Sequence, residues 1–154
     1  MSHSLTKIWI HAVFGTKNRE PLIHSNIEGD LYQHICQHLE KDFDCTVKGI
    51  NGMPDHIHIL FLLNPNFAIK DILKNIKGES SHWINQGNLT KEKFAWQTGY
   101  GAFSVSESSI DKVSLYIQNQ KEHHKQNSFT EEYEEFMKKH GLQLLGQTDK
   151  SVFE

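Results

Sequence analysis

Two histidines of this sequence, His56 and His58, stand two residues apart at the start of an otherwise apolar run. Because side chains alternate between the faces of a strand, both imidazoles would point to one face, roughly 7 Å apart along the chain. Two rings placed in this way can bind one metal ion. The alternative is a strand whose first residues happen to be histidines, in a chain that has 11 of them. Leu60 takes the next position on that face, which disfavours the His-x-His-x-His site of nucleotide hydrolases.

A second pair of residues, Tyr116 and Gln120, is four residues apart in a segment with helical periodicity. On a helix these side chains would be neighbours on one face, roughly 5.4 Å apart along the axis. Gln120 could offer its amide oxygen to a metal ion and so bring the tyrosine close to it. The alternative is an amphipathic helix in which Tyr116 packs at the edge of the apolar stripe and Gln120 is solvated.

The elements that position these residues follow from the apolar pattern and from the glycines and prolines. The pattern predicts strand 5–14, helix 26–41, strand 45–50, strand 56–63, helix 69–84, strand 94–97, a helix from about 108 to 125, and a last amphipathic segment 129–140. This order is that of an α+β, ferredoxin-like (RRM-like) sandwich, with an antiparallel sheet, helices and a tyrosine-bearing C-terminal helix.

Two glycine-containing segments mark the connections. Asn51-Gly52 is a strong hairpin signal, so we predict a turn there that Met53, Pro54 and Asp55 lengthen. Gly99 and Gly101 flank a tyrosine, and this spacing predicts either a flexible joint or a shaped turn.

Length and composition favour one domain over residues 1–141, with a loose C-terminal tail at 142–154. No apolar stretch is long enough to cross a membrane and no secretory signal is visible, so we expect a cytoplasmic protein with free thiols at Cys36 and Cys45. The formal charge of −3 argues against a nucleic-acid partner. However, residues 1–127 hold 13 acidic and 13 basic side chains, whereas residues 128–154 hold 6 and 3. A neutral body can still carry a basic groove.

Several blocks of the sequence resemble the single-tyrosine HUH transposases that mobilise the smallest bacterial insertion sequences, of the insertion-sequence-200-like type. The HUH motif of that family is histidine, hydrophobic residue, histidine, and His56-Ile57-His58 is similar to it. The other similar blocks, in chain order, are residues 16–21, 77–83, 94–106 and 116–124. One histidine pair is weak evidence, but five blocks in register indicate the family.

The resemblance implies a mechanism. Tyr116 would attack a DNA phosphodiester, leaving a 5′-phosphotyrosine bond to the enzyme and a free 3′-hydroxyl that can later reseal strands. A metal ion held by His56, His58 and Gln120 would polarise the phosphate and orient the attack. In the family this ion is Mg²⁺ or Mn²⁺, although imidazole ligands alone would argue for a later transition metal.

The resemblance also implies partners. These are single-stranded DNA with hairpin ends and a second copy of the chain, in a homodimer whose active sites are shared between subunits. We expect Lys17, Arg19 and Lys77 to contact DNA phosphates. Two alternatives remain at this point: a non-catalytic single-stranded nucleic-acid-binding module on the same fold, and a metal-dependent phosphohydrolase that uses His56 and His58 with a bound water.

Overall fold

The computed structural model describes residues 4–123 together with residues 131, 132, 134, 135 and 138. Its elements, in chain order, are β1 (Trp9–Gly15), α1 (Ser25–Phe43), β2 (Thr46–Met53), β3 (His56–Leu62), α2 (Ile69–Gln86), β4 (Gly101–Val105), α3 (Ile110–Gln118) and α4 (Gln120–His123). Short 3₁₀ turns occupy Lys17–Arg19 and Glu107–Ser109. None of the helices in these described ranges has the length and apolar character needed to cross a membrane.

The described strands form one antiparallel sheet in the order β2-β3-β1-β4. Helices α1 and α2 cover one face of this sheet, and α3 packs against β2 and β3 on the other. This is the predicted ferredoxin-like α+β sandwich, and that prediction is confirmed.

Alternation along the two central strands decides which side chains reach each face. On β1, Ile10, Ala12 and Phe14 belong to the large apolar core beneath α1 and α2. The residues that alternate with these three along β1 point to the α3 face. There Trp9, the first residue of the strand, joins a smaller apolar cluster with Leu60 of β3. Both strands are therefore buried on both faces, as the near-continuous apolar runs indicate.

The hairpin predicted around Asn51-Gly52 is present, but its turn is shorter than predicted and does not include these two residues. Pairing between β2 and β3 continues through these residues to Met53, which lies opposite His56, and the turn consists of Pro54 and Asp55 alone. Gly52 is needed for a different reason: a Cβ atom there would clash with the His56 carbonyl oxygen and lie 2.8 Å from the Ile57 Cα. The glycine permits close approach of two strands rather than a change of direction.

The fourth strand is not at residues 94–97 as predicted. That segment makes a single bridge, between Trp96 and Thr16, and β4 follows it at Gly101–Val105, paired with β1. Of the two glycines, Gly99 has a φ of 93°, and a Cβ on Gly101 would lie 3.0 Å from Val13 Cγ1. They shape a turn and let β4 pack closely on β1, which was one of the two interpretations of this segment.

The helix predicted from about 108 to 125 is divided. A 3₁₀ turn precedes α3, and Asn119, with φ −93° and ψ 17°, separates α3 from α4. Tyr116 therefore lies on α3, and Gln120 begins α4. Most of the segment predicted at 129–140, and the whole tail 142–154, lie outside the described residues. The expected domain limits and the C-terminal position of the tyrosine helix stay predictions.

Candidate active site

His56 and His58 lie side by side on the α3 face of the sheet, as the spacing predicts. Their side chains are 0% and 1% exposed, and the ring centroids are 5.2 Å apart. His56 begins β3 directly after the turn, and Asp55 in that turn contacts its Nδ1 with Oδ1 at 2.8 Å. Each ring turns its Nε2 towards the same carboxylate, that of Glu132.

The junction of α3 and α4 is attached to the end of β2, next to the start of β3. Asn51 donates a hydrogen bond from Nδ2 to the carbonyl oxygen of Gln118 at 3.1 Å. Lys121 donates to the carbonyl oxygen of Gly52 and lies 2.9 Å from Glu28 Oε2 on α1. These contacts hold the two helices over the histidine pair, because Asn51 lies opposite His58 across the hairpin and Gly52 lies opposite the residue between the two histidines.

Tyr116, Gln120, His56 and His58 converge on one carboxylate, that of Glu132. The Tyr116 hydroxyl donates to Glu132 Oε1, and the Gln120 amide nitrogen donates to the same oxygen at 2.8 Å. His58 Nε2 lies 3.1 Å from Oε1, and His56 Nε2 lies 3.6 Å from Oε2. The amide oxygen of Gln120 is 3.3 Å from His56 Nε2. The four residues that the sequence pairs two by two therefore meet at one point.

The donor set at this point fits a divalent cation. One ligand atom each from His56, His58 and Glu132 lies within 4.8 Å of the others, and all three residues are buried. The amide oxygen of Gln120 faces the same space. Two imidazole nitrogens with a carboxylate and an amide oxygen make a mixed set, and the oxygens add the donors that Mg²⁺ and Mn²⁺ prefer.

Burial and charge shift the pKa values of two groups in this cluster. Burial, then the negative charge of Glu132 and the hydrogen bond to it, raises the pKa of Tyr116 well above its ordinary value. For His56, burial lowers the pKa, but the hydrogen bonds to Asp55 and Glu132 outweigh it and leave the pKa raised. The phenol is thus protonated at neutral pH in this arrangement, and any reaction in which its oxygen acts as a nucleophile needs an acceptor for the proton.

Sequence reasoning missed two members of the cluster. Glu132 belongs to an acidic stretch with Glu131, Glu134 and Glu135, and nothing in their spacing tells which carboxylate turns inward. His11 is 1% exposed, and its Nε2 lies 2.8 Å from His58 Nδ1. The sequence does contain a signal for His11, because a histidine within the apolar strand β1 is as unusual as the pair in β3.

Comparison with known proteins assigns the chain to a family. A family model described as Transposase IS200 like matches residues 4–120. The chain belongs to the IS200-like transposase family. The ISDra2 transposase TnpA of Deinococcus radiodurans is 28% identical over 116 residues, which cover 71% of this chain and 81% of the relative.

Two solved structures share the fold of this IS200-like transposase. A candidate transposase of Deinococcus radiodurans superposes with a TM-score of 0.61 at 23% identity, covering 78% of this chain and 95% of its own. A REP-associated tyrosine transposase bound to a REP hairpin gives a TM-score of 0.59 at 15% identity, covering 80% of this chain and 74% of its own. At these identities the likeness establishes the fold.

The three predicted DNA-contacting residues of this IS200-like transposase have different surroundings. Lys17 and Arg19 lie on the 3₁₀ turn after β1, where Lys17 is exposed and Arg19 half-buried. Lys77, on α2, is half-buried and donates from Nζ to the carbonyl oxygens of Gln97 at 2.7 Å and Gly99 at 2.5 Å. Burial lowers the pKa of Lys77 to about 8. These contacts give Lys77 a structural role, and phosphate binding by all three stays a prediction.

The loop that carries Lys17 and Arg19 is tied to the turn before His56. The Thr16 amide donates to the Asp55 carbonyl oxygen at 2.8 Å, and the Thr16 hydroxyl contacts the same oxygen at 3.3 Å. Further along, the Ile23 amide donates to the Pro54 carbonyl oxygen at 2.9 Å. The loop after β1 and the β2-β3 turn are thus joined by backbone hydrogen bonds at two points.

Proposed function

We propose that this IS200-like transposase cleaves and rejoins single-stranded DNA, with Tyr116 as the nucleophile and with a divalent cation, Mg²⁺ or Mn²⁺, bound by His56, His58 and Gln120. One observation carries the proposal: the Tyr116 hydroxyl, the Gln120 amide and both imidazoles meet at the Glu132 carboxylate. A single carboxylate separates the Tyr116 hydroxyl from the two imidazoles. The tyrosine oxygen is therefore close enough to a cation bound there to attack a phosphate that the same cation contacts.

In the proposed reaction the Tyr116 oxygen attacks the scissile phosphorus, and the bond from phosphorus to the 3′ oxygen breaks. The products are a 5′-phosphotyrosine and a strand with a free 3′-hydroxyl. Glu132 Oε1 accepts the hydrogen bond of the phenol and is placed to take its proton, while the leaving 3′ oxygen takes up a proton. In the reverse direction a 3′-hydroxyl attacks the phosphotyrosine and reseals the strand, so no nucleotide energy is consumed.

The cation would be held by His56, His58 and Gln120, with the Glu132 carboxylate as a fourth donor in reach. When bound, it supplies positive charge that polarises the phosphate and stabilises the charge that develops in the transition state. Because His56, His58 and Gln120 are at most 1% exposed, a phosphate reaches them only after the surrounding side chains rearrange. Gln120 and Glu132 hold the Tyr116 hydroxyl beside the cation-binding atoms until then.

The test is a covalent adduct assay with the full-length protein. The probes are single-stranded oligonucleotides with hairpins from the DNA flanking the gene, labelled at either the 3′ or the 5′ end, with Mn²⁺ or Mg²⁺. We expect the 3′ label to migrate with the protein on a denaturing gel, and the 5′ label to appear on a shorter free strand. Tyr116→Phe should reduce the adduct to background, whereas Tyr100→Phe, outside the cluster, should retain it.

The outcomes separate the alternatives. An adduct that persists in Tyr116→Phe, or that forms fully in EDTA, contradicts the proposal. Binding of hairpin DNA without an adduct under either metal would instead support the non-catalytic binding module. Hydrolysis that needs His56 but not Tyr116 would support the phosphohydrolase.

We also propose that the protein acts as a homodimer, as the sequence resemblance implies. In the described residues Tyr116 already meets His58 of its own chain through Glu132. Mixing Tyr116→Phe with His56→Ala therefore distinguishes two arrangements. Restored cleavage shows that the tyrosine of one subunit serves the histidines of the other, and no restoration shows that each chain uses its own.

A further inference from the structure

His11 occupies the middle of β1, which pairs with both β3 and β4. It lies opposite Leu60 in the ladder with β3, while its neighbour in alternation, Val13, lies opposite His58. His11 and His58 are therefore diagonal neighbours on the α3 face. The two rings are tilted by 35° with centroids 5.1 Å apart, and both are buried.

The contact between them is a hydrogen bond whose direction follows from the chemistry of His58. His11 Nε2 and His58 Nδ1 are 2.8 Å apart, so one nitrogen carries the hydrogen and the other accepts it. His58 Nε2 faces Glu132 and the proposed cation position. To bind a cation, that Nε2 must offer a lone pair, and a neutral imidazole then carries its hydrogen on Nδ1. With a cation bound, His58 Nδ1 thus donates, and His11 Nε2 accepts.

His56 provides a parallel in the same cluster. Its Nδ1 lies 2.8 Å from Asp55 Oδ1, and a carboxylate can only accept this hydrogen, so Nε2 is the nitrogen with which His56 can bind a cation. In metal sites, ligand histidines generally donate their other ring N–H to a fixed acceptor, which sets both tautomer and ring orientation. Asp55 acts on His56 from the adjacent turn, and His11 occupies the equivalent place for His58 from the next strand.

We propose that His11 is a positioning residue that holds His58 with Nδ1 protonated and Nε2 directed at the cation. The proposal rests on the proposed function, because it assigns His11 a task within that same site. His11 touches neither the DNA phosphate nor the cation in this scheme. Its ring also lies edge-on to Tyr116 at 6.5 Å, so a replacement of similar size is required in any test.

Two variants separate hydrogen-bond acceptance from packing. His11→Phe keeps a ring of similar size but removes the acceptor, whereas His11→Gln places an amide oxygen near the position of Nε2. His24→Gln, at an exposed histidine, is the control. All are made in the full-length chain, and their unfolding transitions are compared first to verify that they fold.

The first measurement is Mn²⁺ affinity, from the EPR signal of free Mn²⁺ and from calorimetry, without DNA. We expect His11→Phe to weaken Mn²⁺ binding roughly 10- to 100-fold, and His11→Gln to stay near the wild type. Equal affinity of His11→Phe and the wild type overturns the proposal. So does a loss in His11→Gln as large as that in His11→Phe, because packing would then explain both.

The second measurement is spectroscopic and does not depend on a measured affinity. Without a cation, Glu132 Oε1 lies 3.1 Å from His58 Nε2 and can accept a hydrogen from it, so the spectra are recorded on the protein loaded with diamagnetic Mg²⁺. Long-range ¹H–¹⁵N correlation spectra then report which ring nitrogen of His58 carries the hydrogen. We expect Nδ1 in the wild type and in His11→Gln, and a loss of this fixed preference in His11→Phe. Hydrogen on Nε2 in the loaded wild type overturns the role of His11 alone. A wild type that binds neither Mn²⁺ nor Mg²⁺ overturns the cation part of the proposed function and the role of His11 with it.

Discussion

The two faces of the sheet are built by alternate residues of the same strands, yet their contents differ. On β3, Ile57, Ile59 and Phe61 enter the apolar core beneath α1 and α2. His56 and His58, which alternate with these residues, point to the other face and join the polar cluster under α3. Both sets are buried to the same degree, at 0–1% exposure. Burial alone therefore does not distinguish the residues that stabilise the fold from those that could perform chemistry.

The two faces differ in the kind of contact that joins the helices to the sheet. The α1 and α2 face is closed mainly by apolar contact, which is insensitive to direction, with few buried hydrogen bonds such as that from Trp96 Nε1 to Ser80 Oγ. The α3 face has a small apolar cluster, which includes Trp9, Leu60 and Ile117, and directional hydrogen bonds elsewhere. We infer that the first face supplies most of the stability and the second face most of the function.

The largest expected effect separates two adjacent residues of β3. Ile59→Ala removes a fully buried side chain from the packed face and should lower the free energy of unfolding by about 2–5 kcal/mol. His58→Gln, on the other face, should cost only about 1 kcal/mol, the value of a typical hydrogen bond, while abolishing the adduct. Urea unfolding followed by circular dichroism measures both. Equal losses of stability would show that the α3 face is also structural.

Metal addition tests the same comparison by stabilising the chain through the α3 face alone. A cation bound only by the folded chain, at roughly 100 times its Kd, raises the free energy of unfolding by about 2.7 kcal/mol. We expect this gain with Mn²⁺ in the wild type and in Ile59→Val, whose change lies on the packed face. His56→Ala should show none, and a full gain in that variant would mean that the cation binds elsewhere.

Lys77 tests whether a polar side chain on α2 also stabilises the fold, because its ammonium group contacts the segment between α2 and β4. Lys77→Met removes two hydrogen bonds from an ammonium group to carbonyl oxygens, and we expect a loss of about 1–3 kcal/mol. Lys74→Met, at an exposed position of the same helix, should change the free energy of unfolding little. If the two variants are equally stable, the role of Lys77 is not structural.

The stability difference between the wild type and Lys77→Met should also depend on pH. Burial lowers the pKa of Lys77 from 10.5 to about 8 in the folded chain. Between these values the unfolded chain retains a proton that the folded chain has released, so this residue's contribution to stability increases as the pH rises. We expect the free energy of unfolding of the wild type to increase, relative to that of Lys77→Met, between about pH 7.5 and about pH 9.5. A constant difference would contradict this.

The smallest expected effect concerns Lys17 and Arg19. If each contacts one phosphate, Lys17→Ala or Arg19→Ala should reduce the slope of log affinity against log salt by about 0.7 for single-stranded DNA. Lys41→Ala, at an exposed position of α1, is the control. Unchanged slopes in both variants would place the DNA elsewhere on the protein.

Much of this arrangement was predictable from sequence, because it depends on local periodicity. Two-residue alternation placed His56 and His58 on one face, and element order gave the sheet topology. What could not be predicted depends on contacts between distant segments. Strand β4 exists because Gly101 can approach Val13, and Glu132 enters the site from a stretch of similar glutamates.

His11 is a case between these two. Alternation already places it on the face opposite Ile10 and Ala12, so its burial with the other histidines follows from topology once β1 and β3 are paired. The hydrogen bond to His58 requires the register of that pairing, and a shift of one residue would send His11 to the other face. Register is what the sequence pattern left undetermined.

The backbone hydrogen bonds between the loop after β1 and the β2-β3 turn have a mechanical consequence. Because Thr16 and Ile23 are fastened to Asp55 and Pro54, Lys17 cannot shift along the surface without displacing His56 as well. A strand gripped by that loop would be held at a constant offset from the imidazole pair. If Lys17 contacts a phosphate as predicted, this offset determines how many nucleotides separate that phosphate from the one at the imidazole pair.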